Sequence, residues 1–177
     1  MMTIRLHGIP ILETDRLVLR GPKAADTDGY VDFMMSKRSQ YVGGHLSRAK
    51  SWRAFTNEIG HWLIRGFGMW AVTMKGDDTC LGYVGPWRPE GWPENEIGWV
   101  IWEDAEGKGV AQEAARAARD FAYGTLGWTT AVSYIDRPNH RSIALAERLG
   151  CVRDRGAATP EGDDCLVYRH PGPEDLQ

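Results

Sequence analysis

The sequence predicts an α/β (α+β) protein built on one mixed sheet. The apolar period switches between about 3.6 and about 2 along the chain, which separates helices from strands. The branched and aromatic run from Ile97 to Trp102 leads through a loop containing Gly107 and Gly109 into an alanine-rich stretch that begins near Val110. Turn-forming residues punctuate the remaining segments. Together these give the order β-αα-ββ-β-α-β-α-ββ, about six to seven strands and about four helices.

In order, the residues Leu17, Val18, Leu19 and Arg20 read as a first short strand. A helix is expected over about residues 24–37, because Tyr30, Val31, Met34 and Met35 fall at helical spacing. A second is expected over about residues 49–65, with Trp52, Phe55, Ile59, Trp62 and Leu63 as its inward stripe and Gly66 as its stop. Residues 69–74 and 80–84 read as a hairpin. The segment 85–95 contains Pro86, Pro89 and Pro93 and is expected to be irregular. The strand at 97–102 and the alanine helix follow, then a strand over 129–135. Asn139 caps a further helix whose apolar face is Ile143, Ala146 and Leu149 and which ends at Gly150. Residues 151–155 and 165–169 form a closing hairpin, and the tail 171–177 is expected to be loose.

With 177 residues, 42% hydrophobic and 25% charged, the chain is expected to be a single domain over residues 1–177 with its core at about 10–170. A formal net charge of −3 argues against a nucleic-acid surface. Cys80, Cys151 and Cys165 fit no metal or redox spacing, so reduced thiols, no metal and a cytoplasmic setting are expected. The first residues lack a long apolar run and include Arg5 and His7, so no secretory signal is expected; no run of about 18 apolar residues occurs that would cross a membrane.

The loop before the alanine helix is a candidate phosphate site. It aims free backbone N–H groups at one point, at the positive end of a helix dipole. A nucleotide-binding P-loop fails here, because position 102 is Trp and Gly109 follows Lys108. A dinucleotide fingerprint fails at Gln112. A tight turn without a ligand remains the alternative for this loop alone.

The segment from Asn139 to Cys151, NHRSIALAERLGC, changes that balance. Together with the loop it resembles the GNAT superfamily of acyl-CoA-dependent N-acyltransferases. Gly109 and Ala111 fill the last places of that family's [Q/R]-x-x-G-x-[G/A] loop, and Glu106 stands where Gln or Arg is common. Asn139, Ser142, Ile143, Leu145, Glu147, Arg148, Leu149 and Gly150 fit its later helix. LETDRLVLR and EIGWVIWEDAEGKGVAQEA look like the RimJ/RimL-type branch, whose named members acetylate protein N-termini.

The resemblance implies the GNAT fold, with a strongly twisted mixed sheet, and acetyl-CoA as co-substrate. It implies that the pyrophosphate sits on the amides of Gly107, Lys108, Gly109, Val110 and Ala111. Lys108 either adds charge there or is a solvated surface lysine. Pantetheine would pair with backbone near Trp99, Val100 and Ile101, beside a strand at 132–135 that splays away. Asn139 would anchor it from the other side or act only as a helix cap. Ser142 would stabilise or protonate the leaving thiolate, since the tyrosine used by many members would stand at Ala146.

An amine must be neutral to attack. At pH 7 this costs about 4.6 kcal/mol for a lysine and about 1 kcal/mol for an α-amine. Glu96 is the first candidate base, directly or through water, with binding of the amine by charge as its alternative role. Asp136, His45, His61 and His140 are further candidate bases, although Asp136 more simply caps the turn at Arg137 and Pro138, His61 reads as structural and His140 as exposed. His45, in the loop YVGGHLS, is a candidate acceptor contact. So are Trp87 and Trp92, as loop aromatics that either line a recognition site or pack on the sheet. The expected function is transfer of acetyl from acetyl-CoA to a primary amine, a protein N-terminus or a small molecule, by direct attack in a ternary complex. A non-catalytic acyl-CoA-binding module is the alternative. A homodimer is compatible with the sequence, and no nucleic-acid or membrane partner is expected.

Overall fold

The computed structural model describes residues 8–176, so Arg5 and His7 lie outside the described residues. Among the described residues eight strands form one sheet: β1 (Leu12–Glu13), β2 (Leu17–Arg20), β3 (Trp70–Met74), β4 (Gly82–Trp87), β5 (Glu96–Ile101), β6 (Val132–Asp136), β7 (Val152–Arg153) and β8 (Cys165–Arg169). Their spatial order is β1-β2-β3-β4-β5-β6-β8-β7. All neighbours are antiparallel except β5 and β6, which are parallel. Four helices, α1 (Thr27–Met35), α2 (Arg48–Arg65), α3 (Val110–Gly124) and α4 (His140–Arg148), cover it. This is the mixed sheet with four helices that was expected, with one strand more. The addition is β1, two residues long, too short to leave a periodic trace in sequence.

Strand alternation sends Trp70, Val72 and Val84 into one core and Met69, Ala71 and Tyr83 into the other. On the first face α3 presents Ala114, Ala115, Ala118 and Ala122, all fully buried. Side chains this small let the helix axis approach β4 and β5 closely, which sets the position of the α3 N-terminus at the end of β5.

Two expectations are corrected. The inward face of α2 is Ser51, Phe55, Glu58, His61 and Trp62, whereas Trp52 and Leu63 are exposed at 55% and 71%. The polar residues can turn inward because each finds a partner: the Ser51 hydroxyl donates to the Ser47 carbonyl at 3.0 Å, and Tyr30 donates to Glu58 at 3.1 Å. His61 binds the Phe67 carbonyl and the Arg88 amide. Next, Pro86 and Trp87 belong to β4 rather than to an irregular loop. The β3–β4 ladder ends at Val84, so β4 beyond it has a partner on one side only, where a strand tolerates proline. At the start of the tail the Pro171 carbonyl accepts from the Tyr123 hydroxyl at 3.0 Å, and Pro173–Leu176 form an exposed 3-10 turn.

A buried ion pair ties β2 to the entry of α1. Arg20 donates two 2.8 Å bonds to Asp26, and both side chains are under 10% exposed. Asp26 also accepts from the Lys23 amide. Removing one partner leaves a buried charge, so Asp26→Ala is expected to cost about 3–5 kcal/mol in urea unfolding.

Candidate active site

β5 and β6 share a single residue pair, Glu96 with Val132, and then part. Beyond it the backbone of β5 has β4 on one side and a cleft on the other. The cleft holds a cavity of about 570 Å³, within the range of small-molecule sites. Ser133 spans its inner end, donating to the Ile97 carbonyl at 2.6 Å and meeting His170 Nε2 at 3.0 Å.

Glu96 is at the apex of the cleft and buried. Its carboxyl accepts from Trp92 Nε1 at 2.6 Å and from the Tyr134 amide at 3.3 Å. Burial dominates these bonds and pushes its pKa up to about 7. Across the cleft, α4 starts at the cap residue Asn139, whose side chain accepts from the Ser142 amide at 3.2 Å. The indole of Trp99 donates to Ser142 Oγ at 3.1 Å. With that lone pair occupied, the hydroxyl hydrogen of Ser142 is free to point elsewhere. Asn139, Ser142, Trp99, Val100 and Glu96 therefore line one cavity.

At the far end of β5, the 3-10 turn Glu103–Ala105 leads into the loop. Gly107 and Gly109 have φ of 71° and 77°, left-handed conformations that a side chain would strain. The N–H groups of Gly107, Lys108 and Gly109 find no acceptor among the described residues. Those of Val110 and Ala111 open α3 and have no intrahelical acceptor. Five donors thus gather at one helix N-terminus. Arg16 holds the loop from behind, donating to the Lys108 carbonyl at 3.1 Å and bridging Glu113 at 2.6 Å. The side chain of Lys108 is exposed.

Trp92 lines the cavity while bonding Glu96. Trp87 also lines it, and stacks on His61 with ring centroids 4.2 Å apart. Packing and cavity lining thus coexist in both tryptophans. His45 is not brought in: it is exposed, and its neighbour Leu46 lines the cavity instead. His140 is exposed as well. Lining residues that the sequence did not assign to the site include Glu58, Tyr30, Tyr134, Asp163 and Cys165. Glu58 carried a signal, since it lies three residues after Phe55 and four before Trp62, on the inward face of α2. Among the described residues no group of three or more His, Cys, Asp or Glu is placed to hold a metal, and no helix is long and apolar enough to cross a membrane.

The acetyltransferase (GNAT) domain family matches residues 16–152, most of the chain. The chain belongs to the GNAT acetyltransferase family. An uncharacterized Bacillus subtilis protein, YkkB, is 32% identical over 146 residues, covering 78% of this chain and 83% of that protein. The crystal structure of an Agrobacterium tumefaciens acetyltransferase superposes with a TM-score of 0.87 at 38% identity, covering 96% of this chain and 99% of that one. RimL, described as a ribosomal L7/L12 α-N-protein acetyltransferase and crystallised with coenzyme A, shares the fold, with a TM-score of 0.69 at 16% identity over 91% and 96% of the two chains.

Within this GNAT domain two departures acquire a structural account. Ala146 is fully buried, packed in the core beneath α4, so the position offers no group to the cleft. Glu106 is matched by two arginines: it accepts from Arg38 and from Arg141, the latter at 2.5 Å. The acidic residue therefore does not face the loop amides as a bare charge.

The raised pKa of Glu96 sets a pH dependence of stability. The folded chain keeps this proton after an ordinary carboxyl, near 4.5, has lost it. The contribution of Glu96 to stability is thus greatest below about pH 4.5 and is lost as pH rises to about 7. Glu96→Gln is expected to reduce that loss by roughly 3 kcal/mol, read as the difference between urea unfolding free energies at the acid and alkaline ends.

Proposed function

We propose that this protein transfers an acetyl group from acetyl-CoA to a primary amine by direct attack in a ternary complex. The observation that carries the reading is the placement of Glu96 and Ser142 in one cleft beside β5, the strand that leads on to the five free amides at the start of α3. When bound, acetyl-CoA supplies an activated thioester. The residues fit it: Gly107, Lys108, Gly109, Val110 and Ala111 offer donors for the pyrophosphate. The open side of β5 at Trp99, Val100 and Ile101 offers backbone for pantetheine, with Asn139 opposite.

Glu96 takes the proton of the acceptor ammonium. A carboxyl with a pKa of about 7 is matched to that task at neutral pH. As the new N–C bond forms and the C–S bond breaks, the Ser142 hydroxyl would hydrogen-bond the departing sulfur, and the second proton that the nitrogen loses on becoming an amide would pass to that sulfur, so that it leaves as the thiol and Ser142 ends unchanged. Trp99 fixes Ser142, and Trp92 fixes Glu96. Trp87 and Trp92 line the acceptor side. We take residues 1–177 as one domain of RimJ/RimL type, cytoplasmic and able to dimerise, a branch supported by the opening LETDRLVLR and the β5 segment.

Isothermal titration with acetyl-CoA and thiol release with a panel of amines test the reading. Saturable binding with turnover is expected; binding without thiol release would favour a non-catalytic acyl-CoA module. Activity requires the Glu96 carboxylate, so kcat/KM is expected to rise with pH through about 7. Glu96→Gln is expected to lower kcat/KM by about 10²–10⁴-fold and to abolish that rise. Ser142→Ala, which loses one hydrogen bond to the sulfur, is expected to lower kcat about tenfold with little change in acetyl-CoA affinity.

A further inference from the structure

The cavity has one sign of charge. Glu58, Glu96, Asp136 and Asp163 line it, and among the described residues no Lys, Arg or His does. Glu58 is the most buried of the four. It is 7% exposed, its Oε1 accepts from Tyr30 at 3.1 Å, and its Oε2 has no partner among the described residues. A buried carboxylate with an empty lone-pair site is costly unless a cation meets it. Burial raises its pKa to about 7, so a cation would also draw out its proton. The surroundings are aromatic: Tyr30 and Tyr83 pack edge to face at 5.3 Å, and Trp87 lines the same cavity. Aromatic faces with a desolvated carboxylate form a receptor for an organic ammonium.

We propose that the acceptor is a small molecule with two separated amino groups: one reacts at Glu96, and Glu58 Oε2 binds the other among Tyr30, Tyr83 and Trp87. This rests on the acetyltransferase reading. It gives Glu58 an acceptor-binding role and places a small diamine ahead of a protein N-terminus with an uncharged second residue. The unreacted ammonium stays paired with Glu58, and one amide forms per turnover.

The test compares α,ω-diaminoalkanes with n-alkylamines of matched chain length, and with short N-terminal peptides, on the wild-type protein with acetyl-CoA. A diamine of fitting length is expected to exceed its matched monoamine and the peptides in kcat/KM by about tenfold or more, the worth of a charge-assisted bond. Glu58→Gln is expected to bring that ratio near unity. Independently of turnover, the diamine is expected to change tryptophan fluorescence of the CoA-loaded wild-type protein saturably, at a lower concentration than the monoamine. Equal kcat/KM and equal binding in the wild type would overturn the proposal whether or not the variant folds. So would a diamine preference that survives in a folded Glu58→Gln protein, or a preference for peptides. Failure of acetyl-CoA to bind in calorimetry is a different result and would overturn the acetyltransferase reading itself.

Discussion

The parting of β5 and β6 after one shared pair is the constraint on which the rest depends. It turns the middle of a continuous sheet into a cleft without breaking the core on either face. Glu96 lies at the last shared pair and is therefore buried by two strands yet still reached from the cleft. Ser133 and His170 make the divergence sustainable. The Ser133 hydroxyl satisfies the Ile97 carbonyl that a continuing ladder would have used, and the buried His170 supports Ser133. Burial pushes the pKa of His170 down to about 3, so this support is neutral across the ordinary pH range.

The second determinant is the alanine face of α3. Ala114, Ala115, Ala118 and Ala122 seat the helix against β4 and β5, and Arg16 with Glu113 pins its first turn to the start of β2. The loop amides are thus displayed from a rigid backing. Core packing on one face of the sheet and donor geometry at its end are consequences of the same small side chains.

Much of this was legible in sequence because periodicity and caps are local. The β5 strand, the glycine loop, the Val110 helix start and the Asn139 cap all lie where the residues predicted them. What was not legible depends on partners distant in sequence. The face of α2 could not be assigned from hydrophobicity, since Ser51, Glu58 and His61 turn inward only because Ser47, Tyr30, Phe67 and Arg88 receive them. Pro86 reads as a breaker until the end of the β3 ladder is known. In the site, Glu96, Ser142, Trp87, Trp92 and the strand backbone could be named because strand ends and helix starts announce themselves. Glu58 was marked only by its spacing from Phe55 and Trp62, and His45 lies outside the cavity because the chain places Leu46 there instead.

Glu106 joins three separate parts of the chain: the turn carrying Arg38, the loop itself and α4 through Arg141. Without Glu106, Arg141 would lose this partner and Arg38 would keep only Glu103 at 3.3 Å, leaving positive charge beside an array of open amides that attracts any polyanion and is screened by salt. With Glu106 between them the trio carries one net positive charge rather than two. Discrimination among anions at this loop is then left chiefly to the spacing of the amides, a matter of shape that ionic strength hardly touches.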